Sequence, residues 1–196
     1  LAAAMMGNLG TGGGGGAAPS ACMGGYVKDL ALYAGCKRIT GFLAIVDTAL
    51  TTLDQLSDLE SIDWSQDMQG PGGNGLVIRN NANLVNVKGL GKLTQVSGGV
   101  LVAGNPQLTS TAGLGENLQH IGLNDAGQSV VIQHNDRLVD LGTSWDLWQH
   151  HLPGTLTIED NALLRQIEGL SGVFTIGGGL DISGSELASL DALSSL

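Results

Sequence analysis

The sequence is poor in aromatic residues, in basic residues and in long apolar runs. Aromatic side chains make up 4% of the 196 residues, so a core has to be built from aliphatic side chains. The 8 basic residues against 18 acidic ones give a net charge of −10, which argues against nucleic acid as a partner because phosphate contacts need clustered Lys and Arg. No apolar stretch of about 18 residues occurs, so any contact with a membrane would need a segment outside this chain.

Sequence signatures of catalysis and of metal binding are equally sparse. His120, His134, His150 and His151 do not fall at a recurring ligand spacing such as H-x-x-x-H. No serine lies in a G-x-S-x-G context, and the GTGGGGG segment lacks the Lys-Ser/Thr of a phosphate-binding loop. We therefore predict no catalytic residue, no metal site and no cofactor.

The first twenty residues differ from the rest of the chain. Residues 1–20 are rich in Gly and Ala and carry no charge, so they cannot bury enough surface to offset the entropy of ordering, and disorder is predicted there. The small residues near the end of this segment are typical of a secretory leader, although a basic n-region is missing. The alternative is a flexible linker.

A repeat dominates the remainder. An apolar-x-apolar step, typical of a short strand with alternate side chains inward, recurs with a base spacing of 24 residues. Longer spacings coincide with polar, Gly-rich stretches at 65–74 and 122–129, which predict loops extruded between strands. The second apolar residues of the steps are Ile45, Ile78, Val102, Ile132, Ile158 and Ile182.

A polar column follows each strand by three residues. An amide at a bend can donate to and accept from backbone groups of neighbouring coils, so a structural ladder is predicted for Asn81, Asn105, Asn135 and Asn161. Thr48 and Ser185 take this place in the first and last copies, and apolar residues recur every third position after it. Together these patterns predict a mainly β solenoid of about six turns with layers of Leu and Ile inside.

The start of the repeat region has a cysteine, an Asp-Leu pair, a second cysteine and then an I-x-G-x-L-x-I step. These residues are Cys22, Asp29, Leu30, Cys36, Ile39, Gly41, Leu43 and Ile45. In this pattern the region resembles a receptor L-domain, the leucine-rich module of insulin-type and epidermal-growth-factor-type receptors and of fungal and protist surface proteins. The resemblance implies a right-handed β-helix over residues 21–196, a short N-terminal helical cap and an extracellular or cell-surface location. Because the last copy stops in mid-unit, we expect the domain to be truncated at its C-terminus.

The resemblance also implies a disulfide between Cys22 and Cys36, which are the only cysteines. This bond would close a loop of about 15 residues and contribute about 3 kcal/mol in the chain-entropy model. It would also imply an oxidising compartment. The alternative is two buried thiols in a cytosolic protein.

Two groups of residues are candidates for binding. The first lies in the stretch 143–154, which interrupts the Leu rhythm and contains Trp145, Trp148, His150 and His151. Tryptophan is enriched at binding hot spots, but either Trp145 or Trp148 could instead replace a missing Leu layer. The remaining Trp64 is expected to fill the core.

The second candidate group is the residue between the two inward positions of each strand. An exposed apolar column normally marks a surface that something covers, and the cover could be a partner, a neighbouring domain or the segment from Met23 to Leu32. The candidate binding residues are Val77, Leu101 and Val131, in a column completed by Ala44, Thr157 and Asp181.

These features favour a non-catalytic recognition module that binds a protein or a glycan through its sheet face and the loops between turns. The alternative function is structural, with the solenoid as a rigid spacer in a wall or matrix and without a specific ligand.

Overall fold

The computed structural model of the chain describes residues 21–27, 29–67, 70–142, 145 and 150–196. The segment predicted to be disordered, residues 1–20, and the candidate Trp148 lie outside these ranges. Within them the strands are β1 Ala21–Val27, β2 Arg38–Val46, β3 Ser61–Asp63, β4 Asn74–Arg79, β5 Gln95–Ala103, β6 His120–Leu123, β7 Gln128–Gln133, β8 His151–Leu152, β9 Thr155–Glu159, β10 Thr175–Ile176 and β11 Leu180–Ser183.

The helical segments of the described ranges are all single 3₁₀ turns, at Leu30–Tyr33, Asp54–Leu56, Lys88–Leu90, Glu168–Gly172 and Asp191–Leu193. The N-terminal region is therefore a strand, β1, followed by one 3₁₀ turn that Asp29 caps by accepting a hydrogen bond from the Ala31 amide at 2.9 Å. The helical cap expected from the sequence is reduced to that single turn.

All strand pairs are parallel. Nine strands form one sheet, in which β1, β2, β3, β5, β7, β9 and β11 follow one another, β4 pairs with β2 and β5, and β6 pairs with β5; β8 and β10 form a second sheet. The predicted mainly β class is thus confirmed, and the parallel stack is consistent with a β-solenoid. Its handedness and its number of turns stay predictions.

The strand register stacks the residues that the repeat aligned. Ile45 pairs with Ile78, Ile78 with Val102, Val102 with Ile132, Ile132 with Ile158 and Ile158 with Ile182. Since a register slip of one residue would turn every inward side chain to the outside, this alignment confirms the predicted aliphatic layers.

The long strands β2 and β5 each pair with two different sets of strands, one along the first half and one along the second half. Residues 38–40 of β2 pair with β3 and residues 43–46 pair with β4, while residues 95–98 of β5 pair with β6 and residues 100–103 pair with β7. The described sheet therefore turns a corner at Gly41 and at Gly98–Gly99. We call the side formed by β3, β6 and the first halves of β2 and β5 the short face, and the other side the long face.

The core is aliphatic along its length. Ile39, Ile62 and Val96 fill it behind the short face, Leu76 fills it behind the long face, and each is fully buried. Burying a side chain of this size contributes roughly 1.5–3 kcal/mol, so the stack of layers supplies the rigidity on which surface residues are held.

Candidate functional site

The four asparagines that follow the strands are completely buried and form a continuous ladder. The Asn105 amide group donates to Ile78 O at 3.0 Å and to Asn135 Oδ1 at 3.1 Å, while its oxygen accepts from the backbone and side-chain nitrogens of Asn81. Asn135 bonds to Asn161 in the same way. The ladder pairs backbone groups that the bend would otherwise leave buried without partners.

The residue before each ladder position has a left-handed backbone. This conformation places φ near +55° at Asp47, Asn80, His134 and Asp160 and near +65° at Gly104. Asn, Asp, His and Gly tolerate positive φ best, so the column explains why these residue types precede the ladder. The sequence contained this signal, in the pairs Asn80-Asn81 and Gly104-Asn105, but the repeat analysis did not use it.

The N-terminal end is closed covalently. A disulfide joins Cys22 in β1 to Cys36, with the two Cα atoms 6.0 Å apart, and the predicted bond is therefore confirmed. Its presence supports an oxidising compartment. Leu30, in the turn between the two cysteines, is buried against the first layer.

Within the stretch 143–154, the structure places the first candidate, Trp145, inside the protein. Trp145 is 1% exposed and belongs to the hydrophobic core, so it fills a layer as the alternative interpretation held. Gly115 makes room for it, because a Cβ there would lie 1.9 Å from Trp145 Cδ1.

The two histidines after this core position have different surroundings. His150 is half-buried, stacks on Phe174 with ring centroids 4.2 Å apart and bonds through Nδ1 to Gly172 O. His151 is exposed and its Nδ1 lies 2.7 Å from Thr175 Oγ1. Of this candidate group, His151 is the exposed side chain in the described ranges.

The apolar column on the outside of the long face is not open to solvent. Val77 and Val131 are buried and Leu101 is half-buried, so two of the three candidate side chains are covered by the chain itself. Tyr26 pairs with Ala44 at the edge of the sheet; β1 extends the sheet there and is not a cover lying over it.

Polar side chains from two corner loops lie against this outer side. Asn74 Oδ1 and Asn124 Cβ are each 2.8 Å from where a Cβ on Gly99 would be, and Gln128 Nε2 lies 3.4 Å from Thr157 Oγ1. Asn74, Asn124 and Gln128 therefore lie on the outer side of the sheet beside Gly99 and Thr157, which sequence periodicity alone could not indicate.

The two corner loops also contact each other. The Asp125 amide donates to Gly72 O at 3.0 Å, and a Cβ on Gly73 would meet the Asp125 backbone nitrogen at 2.5 Å. Asn124 Oδ1 accepts from the Ala126 and Gln128 amides and so fixes the second loop internally. Residues 72–73 and 124–125 therefore lie together on the surface, although they are about 50 residues apart in the sequence.

A polar strip occupies the outside of the short face. Arg38 pairs with Ser61, Ser61 with Gln95 and Gln95 with His120, and their neighbours Ile39, Ile62, Val96 and Ile121 are buried. Because side chains alternate along a strand, the first four form an outward row. Beside it Arg38 and Asp63 make an ion pair, so this part of the strip carries no net charge.

At one end of the strip lies an open depression. Its volume is about 360 Å³ and it is lined by Gln95, Val96, Ser97, His120, Ile121 and Gly122. A Cβ on Gly122 would lie 1.9 Å from Ser97 O, so a larger residue at this position would displace the backbone of the neighbouring strand.

Trp64 lies near the residue that follows Ser97. A Cβ on Gly98 would lie 3.1 Å from Trp64 Cε3, and one on Gly70 would lie 2.9 Å from Trp64 Nε1. Trp64 is half-buried; the prediction that it fills the core is wrong, because its indole lies over the corner at Gly98 and not between the layers.

Charges elsewhere on the described surface form pairs that shift ionisation. The hydrogen bond from Lys37 to Glu60 raises the pKa of Lys37, and the one from Lys92 lowers the pKa of Asp58. On the last strands, a hydrogen bond with Asp181 raises the pKa of Glu159. These exposed pairs are peripheral to the strip and the depression.

The described residues contain no group of three or more His, Cys, Asp or Glu side chains arranged to hold a metal ion. Within the same ranges, none of the helical segments has both the length and the hydrophobicity needed to cross a membrane.

Residues 24–114 match the family model of the Receptor L domain. The match covers somewhat less than half of the chain and confirms the family resemblance expected from the sequence. Receptor L domains are extracellular, non-catalytic modules that bind ligands in receptors. No curated protein and no solved structure gives a significant match to the chain.

Proposed function

We propose that this chain is a non-catalytic recognition module of the extracellular space or the cell surface, which binds a protein or a glycan. The binding surface is the polar strip of the short face together with the two corner loops. The observation that carries the proposal is that Gln95, Ser97 and His120 line a depression on a sheet whose inward residues are fully buried. Rigid scaffolds that present polar groups and loops are typical of binding sites.

The disulfide and the family support the proposed location. A Cys22–Cys36 bond persists where the environment is oxidising, and receptor L domains are extracellular. His151 stays in the proposal as a secondary contact because its side chain is exposed. Trp145, Val77 and Val131 do not, because their side chains are buried.

A binding screen with matched surface variants tests the proposal. The purified protein is displayed as an oligomer and screened against a library of extracellular protein ectodomains and a glycan array. Each saturable ligand is then measured against Ser97→Arg, which fills the depression, and against Thr109→Arg, which adds the same side chain to an exposed position outside the strip. We expect Ser97→Arg to lower affinity at least tenfold and Thr109→Arg to leave it unchanged.

If the chain is instead a structural spacer, the opposite binding result is expected. A rigid spacer would give no saturable ligand, or ligands whose binding responds equally to the two arginine substitutions. Either result would reject the recognition function.

A further inference from the structure

We infer that the ligand of the depression is a neutral glycan. The inference rests on the proposed recognition function and names the class of molecule that the short face would bind. Its starting point is the composition of the surface: the outward residues Ser61, Gln95, Ser97 and His120 on three neighbouring strands are all polar.

The polarity of the strip argues against a protein ligand. Protein interfaces have an apolar, aromatic-rich centre from which charged residues are depleted. Here the centre of the surface is the depression, and the side chains that reach outward there are Gln95, Ser97 and His120. Amide, hydroxyl and imidazole groups both donate and accept hydrogen bonds, which is what the hydroxyl groups of a sugar require.

Charge selects against anionic sugars. Arg38 and Asp63 neutralise each other beside the strip, and the whole chain carries a net charge of −10. A sulfated or uronic-acid polymer would be repelled at long range and would find no unpaired cation in this pair. A neutral oligosaccharide meets neither obstacle.

The third observation is an aromatic side chain close to the depression. Trp64 lies against Gly98, the residue that follows Ser97 of the depression, and next to Gly70. The face of an aromatic ring carries partial negative charge, and one face of a pyranose ring presents C–H groups of partial positive charge, so the two stack. The depression is open to solvent and has a volume of about 360 Å³, which suits one or two sugar units of a longer chain.

Titration with defined oligosaccharides tests the inference. Cellohexaose, laminarihexaose, mannohexaose and N-acetylchitohexaose serve as neutral probes and a heparin hexasaccharide serves as the anionic one, each followed by calorimetry and by amide NMR shifts. We expect at least one neutral hexaose to bind with a Kd in the millimolar range or tighter, with shifts centred on residues 95–97 and 120–122, and no binding of heparin.

Variants connect that binding to the depression. Gln95→Ala and Ser97→Arg should each weaken the neutral hexaose at least tenfold, and Thr109→Arg should not, with unchanged thermal unfolding showing that each variant is folded. If no neutral hexaose binds, or if Gln95→Ala and Ser97→Arg bind it as well as the wild type, the glycan inference is wrong. A protein ligand that Ser97→Arg abolishes would then leave the recognition function standing, whereas the absence of any such ligand would remove both.

Discussion

The two ends of the stack close in different ways. At the N-terminal end β1 pairs along β2, Val27 and Leu30 are buried, and a disulfide fastens the segment. At the other end β11 pairs with β9, and Ile182 and Leu193 are only partly buried although they pack against the core. Apolar side chains of the terminal segments are thus buried at the N-terminal end and partly exposed at the other end.

The difference between the two ends shows that the repeat pattern does not by itself determine how deeply a side chain is buried. Ile158 is completely buried, whereas Ile182, at the equivalent position one repeat later, is not. In a solenoid each repeat contacts its neighbours alone, so the apolar pattern reports which face is inward and not whether that face is covered. The predictions below test how much of the stability comes from closing the N-terminal end.

The largest effect is expected from a leucine in the N-terminal closure. Leu30→Ala removes a side chain that is 1% exposed, and the lost burial plus the cavity should cost about 3 kcal/mol of unfolding free energy. Leu190→Ala is the matched control, because Leu190 is 58% exposed, and it should cost less than about 0.5 kcal/mol. Urea denaturation measures both values, and equal losses at the two positions would contradict the comparison.

The disulfide should contribute nearly as much. Replacing Cys22 and Cys36 together by serine frees a loop of about 15 residues and should cost about 3 kcal/mol, which corresponds to a fall in Tm of about 6–12 °C. The Tm of the wild-type protein should fall by a similar amount when it is measured under reducing conditions, while the Tm of the double variant should not change when reductant is added. A Tm that stays within 2 °C of the wild type would mean that β1 is held by strand pairing alone.

The asparagine ladder also has different hydrogen bonds at its first and last positions, which are Thr48 and Ser185. Thr48 Oγ1 donates to Asn81 Oδ1 at 2.6 Å, but Ser185 Oγ bonds to Ser183 O within its own strand end. Thr48→Val should therefore cost about 1 kcal/mol, since it removes a hydrogen bond to a buried amide. Ser185→Ala should change the unfolding free energy by less than about 0.5 kcal/mol, and chemical denaturation of the pair would reveal any reversal of this order.

Sequence periodicity was sufficient for the strands and the layers, because inward residues recur with a fixed spacing and the sheet register follows from them. Val77 shows the limit of periodicity: alternation correctly predicted that its side chain lies on the outer side of the long face, but not that the side chain is buried there. Periodicity also could not decide whether Trp145 is a contact residue or fills a layer, and it misplaced Trp64 in the core for a similar reason. One lies opposite Gly115 and the other over Gly98, and such glycine gaps are contacts between residues far apart in the sequence.

The smallest expected effect concerns the charges on the last strands, β9 and β11. The N-terminal end has the opposite-charge pair Arg38–Asp63, whereas β9 and β11 bring together Glu159 and Asp181. The hydrogen bond with Asp181 raises the pKa of Glu159 above its ordinary value of 4.5. The folded protein thus retains a proton that the unfolded chain releases, so this contribution to stability is present below that value and is lost as the pH rises through the raised pKa.

Asp181→Asn should remove this pH dependence, because asparagine donates to the Glu159 carboxylate without a shared proton. The Tm of the variant should equal that of the wild type near pH 4 and exceed it at pH 7 by about 1 °C, a small gain because exposed charges interact weakly. Glu186→Gln is the control, since Glu186 pairs with Arg165 at 2.9 Å and its removal should give no gain at pH 7. A variant Tm that lies below the wild type at pH 7 would mean that Asp181 stabilises the last strands as an anion, and the two ends would then differ in coverage but not in charge.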